Sequence, residues 1–168
     1  MTHRLLLLRH AKSSWDDPGL ADHDRPLAKR GRQAAERIGA HLRTSDLLPD
    51  VVLCSSARRT RETLELLALE GREVHVEEGL YGAGDDELLD RVRELSETIG
   101  AALVIGHNPG LHDLAIRLAG LNPTAVTARL QEKFPTGALA VFETDGTWAD
   151  LDARTARLSS MVLPRELA

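Results

Sequence analysis

Cys54 is the only cysteine in the 168 residues, which excludes an intramolecular disulfide and a cysteine-built zinc site. Long apolar runs are missing as well. The leucine run at residues 5–8 falls short of the roughly 7 to 15 residues of a signal-peptide core, and no stretch approaches the ~18 that span a bilayer. A cytoplasmic protein without membrane association is the expectation. Nor is there much charge of one sign: 21 Lys and Arg against 26 Asp and Glu leave a net charge of -5, no field that would gather nucleic acid. Anion binding, if any, has to be local, and basic residues do cluster at Lys29, Arg30 and Arg32 and at Arg58, Arg59 and Arg61. Internal repeats and low-complexity tracts are absent.

What is there is 42% apolar side chains, enough for one sizeable core in a single domain over 1–168. Three short apolar runs, at residues 5–8, 51–54 and 101–105, are each followed at once by polar residues and then by a helical pattern. They predict buried strands of an α/β sheet. Between them apolar residues recur at three- and four-residue spacing: Ala34, Ile38 and Leu42; Leu64, Leu67 and Ala68; Leu88, Leu89, Val92 and Leu95. These predict amphipathic helices over the sheet. Residues 74–76 predict a further strand, and residues 138–142 and 148–151 bracket Asp145-Gly146, a hairpin signal. The expected fold is a three-layer α/β sandwich with a mainly parallel, mixed sheet. The aspartate-rich residues 16–25 predict a solvated loop.

In open α/β sheets ligands bind beyond the carboxyl ends of the strands. Here that singles out Arg9 and His10, residues 55–59, and Gly106, His107 and Asn108. Two histidines and two or more arginines at one sheet edge suit a phosphoryl group, since arginine grips phosphate oxygens in bidentate fashion and imidazole can attack phosphorus or donate to it. Attack needs a neutral imidazole, and arginines beside His10 would lower its pKa. His107 is placed as a donor to the same group. Asn108 and Pro109 predict the cap and first turn of a helix, aiming backbone amides at the same anion.

Arg9-His10-Ala11 with Ser13 and Trp15, the stretch Ser55-Ser56-Ala57-Arg58-Arg59-Thr60-Arg61-Glu62-Thr63, and Ile105-Gly106-His107-Asn108 resemble, in this order, the motifs of the histidine phosphatase superfamily, also called phosphoglycerate mutase-like. The resemblance implies the phosphoglycerate mutase-like fold, His10 as the phospho-accepting nucleophile, and Arg9, Arg59 and His107 around the phosphate. It selects Arg59 over Arg58, offers Ser13 and Asn108 as substrate contacts, and calls for no metal or other cofactor. Within the superfamily, the Arg9-to-Trp15 opening and Asp24-Arg25-Pro26-Leu27 followed by Gly31 look most like the small bacterial SixA-type phosphohistidine phosphatases. Ala11, Ser56 and Thr60 depart from the usual glycine, proline and alanine but leave the charged groups intact. Asp16 stands where the mutase branch has asparagine and would repel a phosphorylated acid, so mutase activity is not expected. The stretch Glu78-Gly79-Leu80-Tyr81-Gly82 resembles the segment carrying the general acid, making Glu78 the candidate with Glu77 beside it.

The remaining polar residues have simpler readings. His3, His23, His41, His75 and His112 are taken as surface or satisfied core side chains, Cys54 as a buried strand thiol, and Lys29, Arg30, Arg32, Arg58 and Arg61 as solvated helix faces. The expected activity is a metal-independent, two-step hydrolysis through phosphorylated His10. The expected substrate is a protein carrying phosphohistidine. The alternatives are a phosphatase of small phosphoesters and a phosphate-binding module without turnover.

Overall fold

The leucine run lies inside β1 (Thr2–Arg9) of the computed structural model, which describes residues 2–168. A strand's period of two sends Leu5 and Leu7 to one face of the sheet and Leu6 and Leu8 to the other, and all four are fully buried in two separate clusters. A strand covered on both faces has no solvated position, hence the unbroken run. Each such leucine contributes about 1.5–3 kcal/mol.

β1 pairs in parallel with β4 (Ala101–Gly106), β4 with β2 (Val51–Ser55), and β2 with β3 (Glu73–Glu77). On its other side β1 pairs antiparallel with β5 (Leu139–Asp145), which pairs antiparallel with β6 (Ala156–Val162). The order is β3-β2-β4-β1-β5-β6, the mixed sheet with an antiparallel edge that the sequence predicts. Helices α1 (Lys29–Thr44) and α2 (Arg58–Leu67) bury Ile38, Leu42 and Leu67 against Leu6 and Leu8. Helices α3 (Asp85–Arg93), α4 (Gly110–Ala119) and α5 (Ala125–Glu132) cover the Leu5 and Leu7 face through Leu89, Leu114 and Leu130. The result is a three-layer α/β sandwich. Among the described residues no helix is long and apolar enough to cross a membrane.

The hairpin differs from expectation. Its return arm is β6, not residues 148–151, which form turns. Trp148 and Leu151 are fully buried without joining the sheet; the Trp148 ring stacks on His3 at 4.6 Å and its Nε1 donates to the Ile99 carbonyl at 2.8 Å. An apolar cluster plugging the core from a loop leaves the same sequence signal as a strand, because burial rather than pairing creates it.

One glycine is decisive for the site. A Cβ on Gly31, in the first turn of α1, would meet the Lys12 carbonyl oxygen at 2.0 Å. Only glycine lets α1 press against the loop that leaves β1.

Candidate active site

Parallel neighbours bring the carboxyl ends of β1, β4 and β2 side by side, with Arg9 opposite Gly106 and Cys54 opposite Ile105. The residues that follow, His10, His107 and Ser55, therefore meet although nearly a hundred positions separate the two histidines. The His10 amide donates to the Gly106 carbonyl at 3.1 Å, and the two imidazole centroids are 5.3 Å apart.

His10 is buried, and its Nδ1 donates to the Ala11 carbonyl at 2.7 Å. This bond fixes the tautomer and leaves the lone pair on Nε2. The loop that carries it is held from α2: the Ala11 amide donates to the Thr63 hydroxyl at 3.1 Å, and Thr63 in turn donates to the Arg59 carbonyl at 2.7 Å. The threonine of the second motif thus registers the helix bearing Arg59 against the loop bearing His10. From the other side, the Gly137 amide donates to the carbonyls of both Arg9 and His10.

Burial, with the positive neighbourhood of His107, Arg59 and Arg9, holds His10 down to about 3 despite the opposing bond to Ala11. Burial and then Arg59 hold His107 down to about 4. Both imidazoles are consequently neutral at neutral pH, and His10 can act as a nucleophile there. His107 Nε2 is bonded to Ser55 Oγ at 2.8 Å. Among the described residues its Nδ1, the Nε of Arg9 and the Nε of Arg59 are buried with no partner. A buried donor left unpaired costs about 1–3 kcal/mol, so the two guanidinium N–H groups favour an anion beside His10.

The rim of the site comes from residues read as solvent-facing. Asp22, in a single 3-10 turn of the aspartate-rich loop (Asp22–Asp24), accepts from Arg59 at 3.0 Å through its carboxylate and at 2.8 Å through its carbonyl. The same carboxylate accepts from Arg25 at 3.1 Å and from the Tyr81 hydroxyl at 2.5 Å. The Tyr81 bond, followed by those from Arg59 and Arg25, keeps Asp22 well below the usual carboxylate range, so it remains ionised and is no proton donor. The Tyr81 ring meets His107 edge-on at 5.4 Å and His23 at 4.8 Å, and His23 Nε2 bonds Ser56 Oγ at 2.8 Å. Asp22 and His23 are thus corrections to the expected solvated loop and surface histidine. Ser55 lay within the expected strand-end residues 55–59, whereas Arg25 and Tyr81 had been given no role. The pointers present in the sequence were the adjacency of Ser55 to a strand end and of Tyr81 to the Glu78 segment.

Four expected positions, Arg9, His10, Arg59 and His107, come together. Ser13 does not present a free hydroxyl: its Oγ accepts from Arg25 at 2.7 Å, and Arg25 lies 3.6 Å over the Trp15 ring. Asn108 does not cap a helix. α4 begins at Gly110 with Pro109 in the cap position, and Asn108 Nδ2 donates instead to the Phe134 carbonyl at 2.8 Å, which also accepts from Arg9 at 3.3 Å. Asn108 and Arg9 are thus held to one carbonyl, while Asn108 Oδ1, the atom a helix cap would use, has no partner among the described residues because α4 starts a residue too late for it. Glu78 is exposed and opens the one-turn helix (Glu78–Leu80) that delivers Tyr81. Glu77 is committed to Arg91 at 2.8 Å. His3 is a fully buried core residue bonded to Glu97 through Nε2, its Nδ1 without a partner among the described residues, and half-buried His112 bonds the Leu130 carbonyl. Cys54 is a buried strand thiol that burial pushes up to about 12.

The family profile described as histidine phosphatase superfamily (branch 1) matches residues 5–88. An uncharacterized protein of Mycobacterium tuberculosis is 41% identical over 160 residues, 94% of this chain and 100% of that one. A structure assigned as phosphohistidine phosphatase SixA from Nakamurella multipartitia superposes with a TM-score of 0.88 at 33% identity, covering 98% of this chain and 97% of the other. A second with the same assignment, from Agrobacterium tumefaciens, gives 0.83 at 30% identity over 96% and 98%.

Proposed function

The chain belongs to the histidine phosphatase superfamily, and from that premise we propose that it is a metal-independent phosphatase that removes phosphate from phosphohistidine on a protein. The observation that carries the reading is a neutral, tautomer-fixed His10 beside His107 and the buried guanidinium N–H groups of Arg9 and Arg59, which have no partner among the described residues. In the first step Nε2 of His10 bonds to phosphorus and the P–N bond of the substrate breaks, its electron pair going to the departing imidazole. In the second, water attacks phosphorus, the bond to His10 breaks, and the lone pair returns to Nε2. Arg9 and Arg59 offset the charge on the transferring oxygens throughout.

The substrate class follows from what the site lacks for other chemistry. Asp22 is held ionised and Glu77 is paired with Arg91, so Glu78 is left as the acid for a leaving group that needs one. An imidazole leaving group can take its proton from water; an alkoxide cannot do so as readily. The two structural neighbours with the phosphohistidine phosphatase assignment support the same choice.

The test is turnover of a phosphohistidine protein and of a generic phosphoester, with chelator present, by the protein and by His10→Ala. The expected result is preference for the phosphohistidine protein, indifference to chelator, and loss of at least ~10³-fold in kcat with the variant. Equal activity of His10→Ala would remove the nucleophile. Preference for the phosphoester would replace the substrate class and keep the superfamily.

A further inference from the structure

A groove of about 320 Å³ away from the catalytic histidines is lined by Lys12, Arg30, Arg37 and Arg165, with Gln33 and Thr136 among them and no carboxylate. Four segments build it: the loop after β1, the first half of α1, residues 135–136 ahead of β5, and the C-terminal 3-10 turn (Pro164–Glu166) with Leu163 before it. Among the described residues none of the four cations has a salt-bridge partner, in contrast to arginines elsewhere such as Arg59, Arg91 and Arg117 and in common with several other surface cations. Of the two carboxylates adjacent in sequence, Glu36 makes no salt bridge among the described residues and Glu166 is spent elsewhere, accepting from the Leu163 amide at 2.8 Å and from Arg129 at 2.9 Å.

The concentration of positive charge works against local stability. Helix α1 opens with Lys29, Arg30 and Arg32, has no acidic residue in its first turn and no side-chain cap at Ala28. Cations at a helix N-terminus oppose the macrodipole. In a chain of net charge -5, a groove of unpaired cations that its own helix does not favour is best accounted for by something it binds.

The groove is also continuous with the catalytic frame. Its wall includes Pro135 and Thr136, between Phe134, whose carbonyl holds Arg9 and Asn108, and Gly137, whose amide holds the carbonyls of Arg9 and His10. Lys12 lies two residues beyond His10, with its carbonyl pressed on Gly31. All four cations are exposed, unlike the buried donors of the catalytic pocket. Hydrated, mobile charges of this kind read an extended acidic surface by electrostatic complementarity rather than enclosing a small dehydrated anion.

We infer that this groove is a docking site for an acidic surface of the phosphohistidine-bearing protein, bound while its phosphate is at His10. The inference rests on the protein-phosphohistidine reading above. Docking here raises the local concentration of acidic substrates and contributes nothing to the chemistry of the P–N bond.

The experiment compares three substrates, each phosphorylated with phosphoramidate: free histidine, an acidic histidine-containing protein, and a histone as a basic protein. The enzymes are the wild type, the double variant Arg37→Glu with Arg165→Glu, and the conservative double variant Arg37→Lys with Arg165→Lys. The wild type is expected to favour the acidic protein over the histone, with a preference that falls as salt rises. The charge-reversed variant should lose roughly tenfold in kcat/KM on the acidic protein, through KM, and stay within about twofold on free phosphohistidine. The lysine variant should retain the preference. Unfolding midpoints of all three proteins separate lost docking from lost folding. Full kcat/KM of the charge-reversed variant on the acidic protein, or an equal fall on free phosphohistidine, overturns the docking site alone. Wild-type turnover of free phosphohistidine with none of either protein overturns the substrate reading, and the docking site with it.

Discussion

The floor and the rim of this site are built in opposite ways. His10 and His107 stand directly after strands whose backbones are locked into the sheet, Ser55 ends one, and Arg59 stands in the first turn of a helix tied to them through Thr63. Asp22, Arg25 and Tyr81 stand on single 3-10 turns and loops, and hold one another by side-chain hydrogen bonds. The floor is buried and its groups are shifted by desolvation; the rim is largely open, and its carboxylate is shifted by hydrogen bonds. Groups that must keep one position and one protonation state are placed where the backbone cannot move. Groups that adjust to a substrate's body are placed on turns.

The comparison breaks most severely at Arg59, the one residue belonging to both parts. Arg59→Ala should cost ~10²–10³-fold in kcat on any phosphorylated substrate, because it removes a buried cation from the transferring group. The same change should move His10 upward from about 3, since Arg59 is one of the charges holding it down. NMR titration of the imidazole reads this directly, and an unmoved His10 would mean that burial and its other neighbours set its protonation without Arg59.

A smaller effect is expected at the rim. Asp22→Asn keeps an oxygen for the Tyr81 hydroxyl but withdraws the charge that occupies Arg59. Inhibition by inorganic phosphate should tighten by roughly three- to tenfold, since an anion then meets Arg59 without a competing carboxylate. Unchanged inhibition would show that Arg59 reaches phosphate without leaving Asp22.

The smallest effect is expected at Glu78. Glu78→Gln should alter turnover of a phosphohistidine protein by less than about threefold and slow an alkyl phosphoester by more, because only the ester needs a proton donor. Equal losses on both would give Glu78 a general catalytic task and move the acid from rim to floor.

The floor was legible before the structure because its residues leave a pattern: an apolar run of strand length, then a charged or polar group at once. Leu5 through His10 is the clearest instance, and Ala101 through His107 repeats it. Asp22 left no such pattern, since an aspartate in an aspartate-rich loop reads the same whether it faces water or an arginine from α2. Asn108 was misread for a related reason: an asparagine before a proline suits a helix cap, and only the nearness of the Phe134 carbonyl diverts it. Residues 148–151 carried a real burial signal assigned to the wrong kind of burial. The basic start of α1 read as a solvated face; what makes it a groove is Arg165 and residues 135–136, more than a hundred positions away.

By itself the sequence determined the α/β alternation, the strands buried on both faces and which histidines and arginines stand at the strand ends. All of these are written in spacings shorter than one element, where hydrophobic period and residue type act locally. The tertiary structure alone decided which arginine oxygen partners exist in the absence of substrate, that Asp22 rather than Glu77 faces the pocket, and that four cations from three segments share one concavity. Those facts depend on which elements the sheet order β3-β2-β4-β1-β5-β6 makes neighbours, and on close approaches such as Gly31 against Lys12, which no local period encodes.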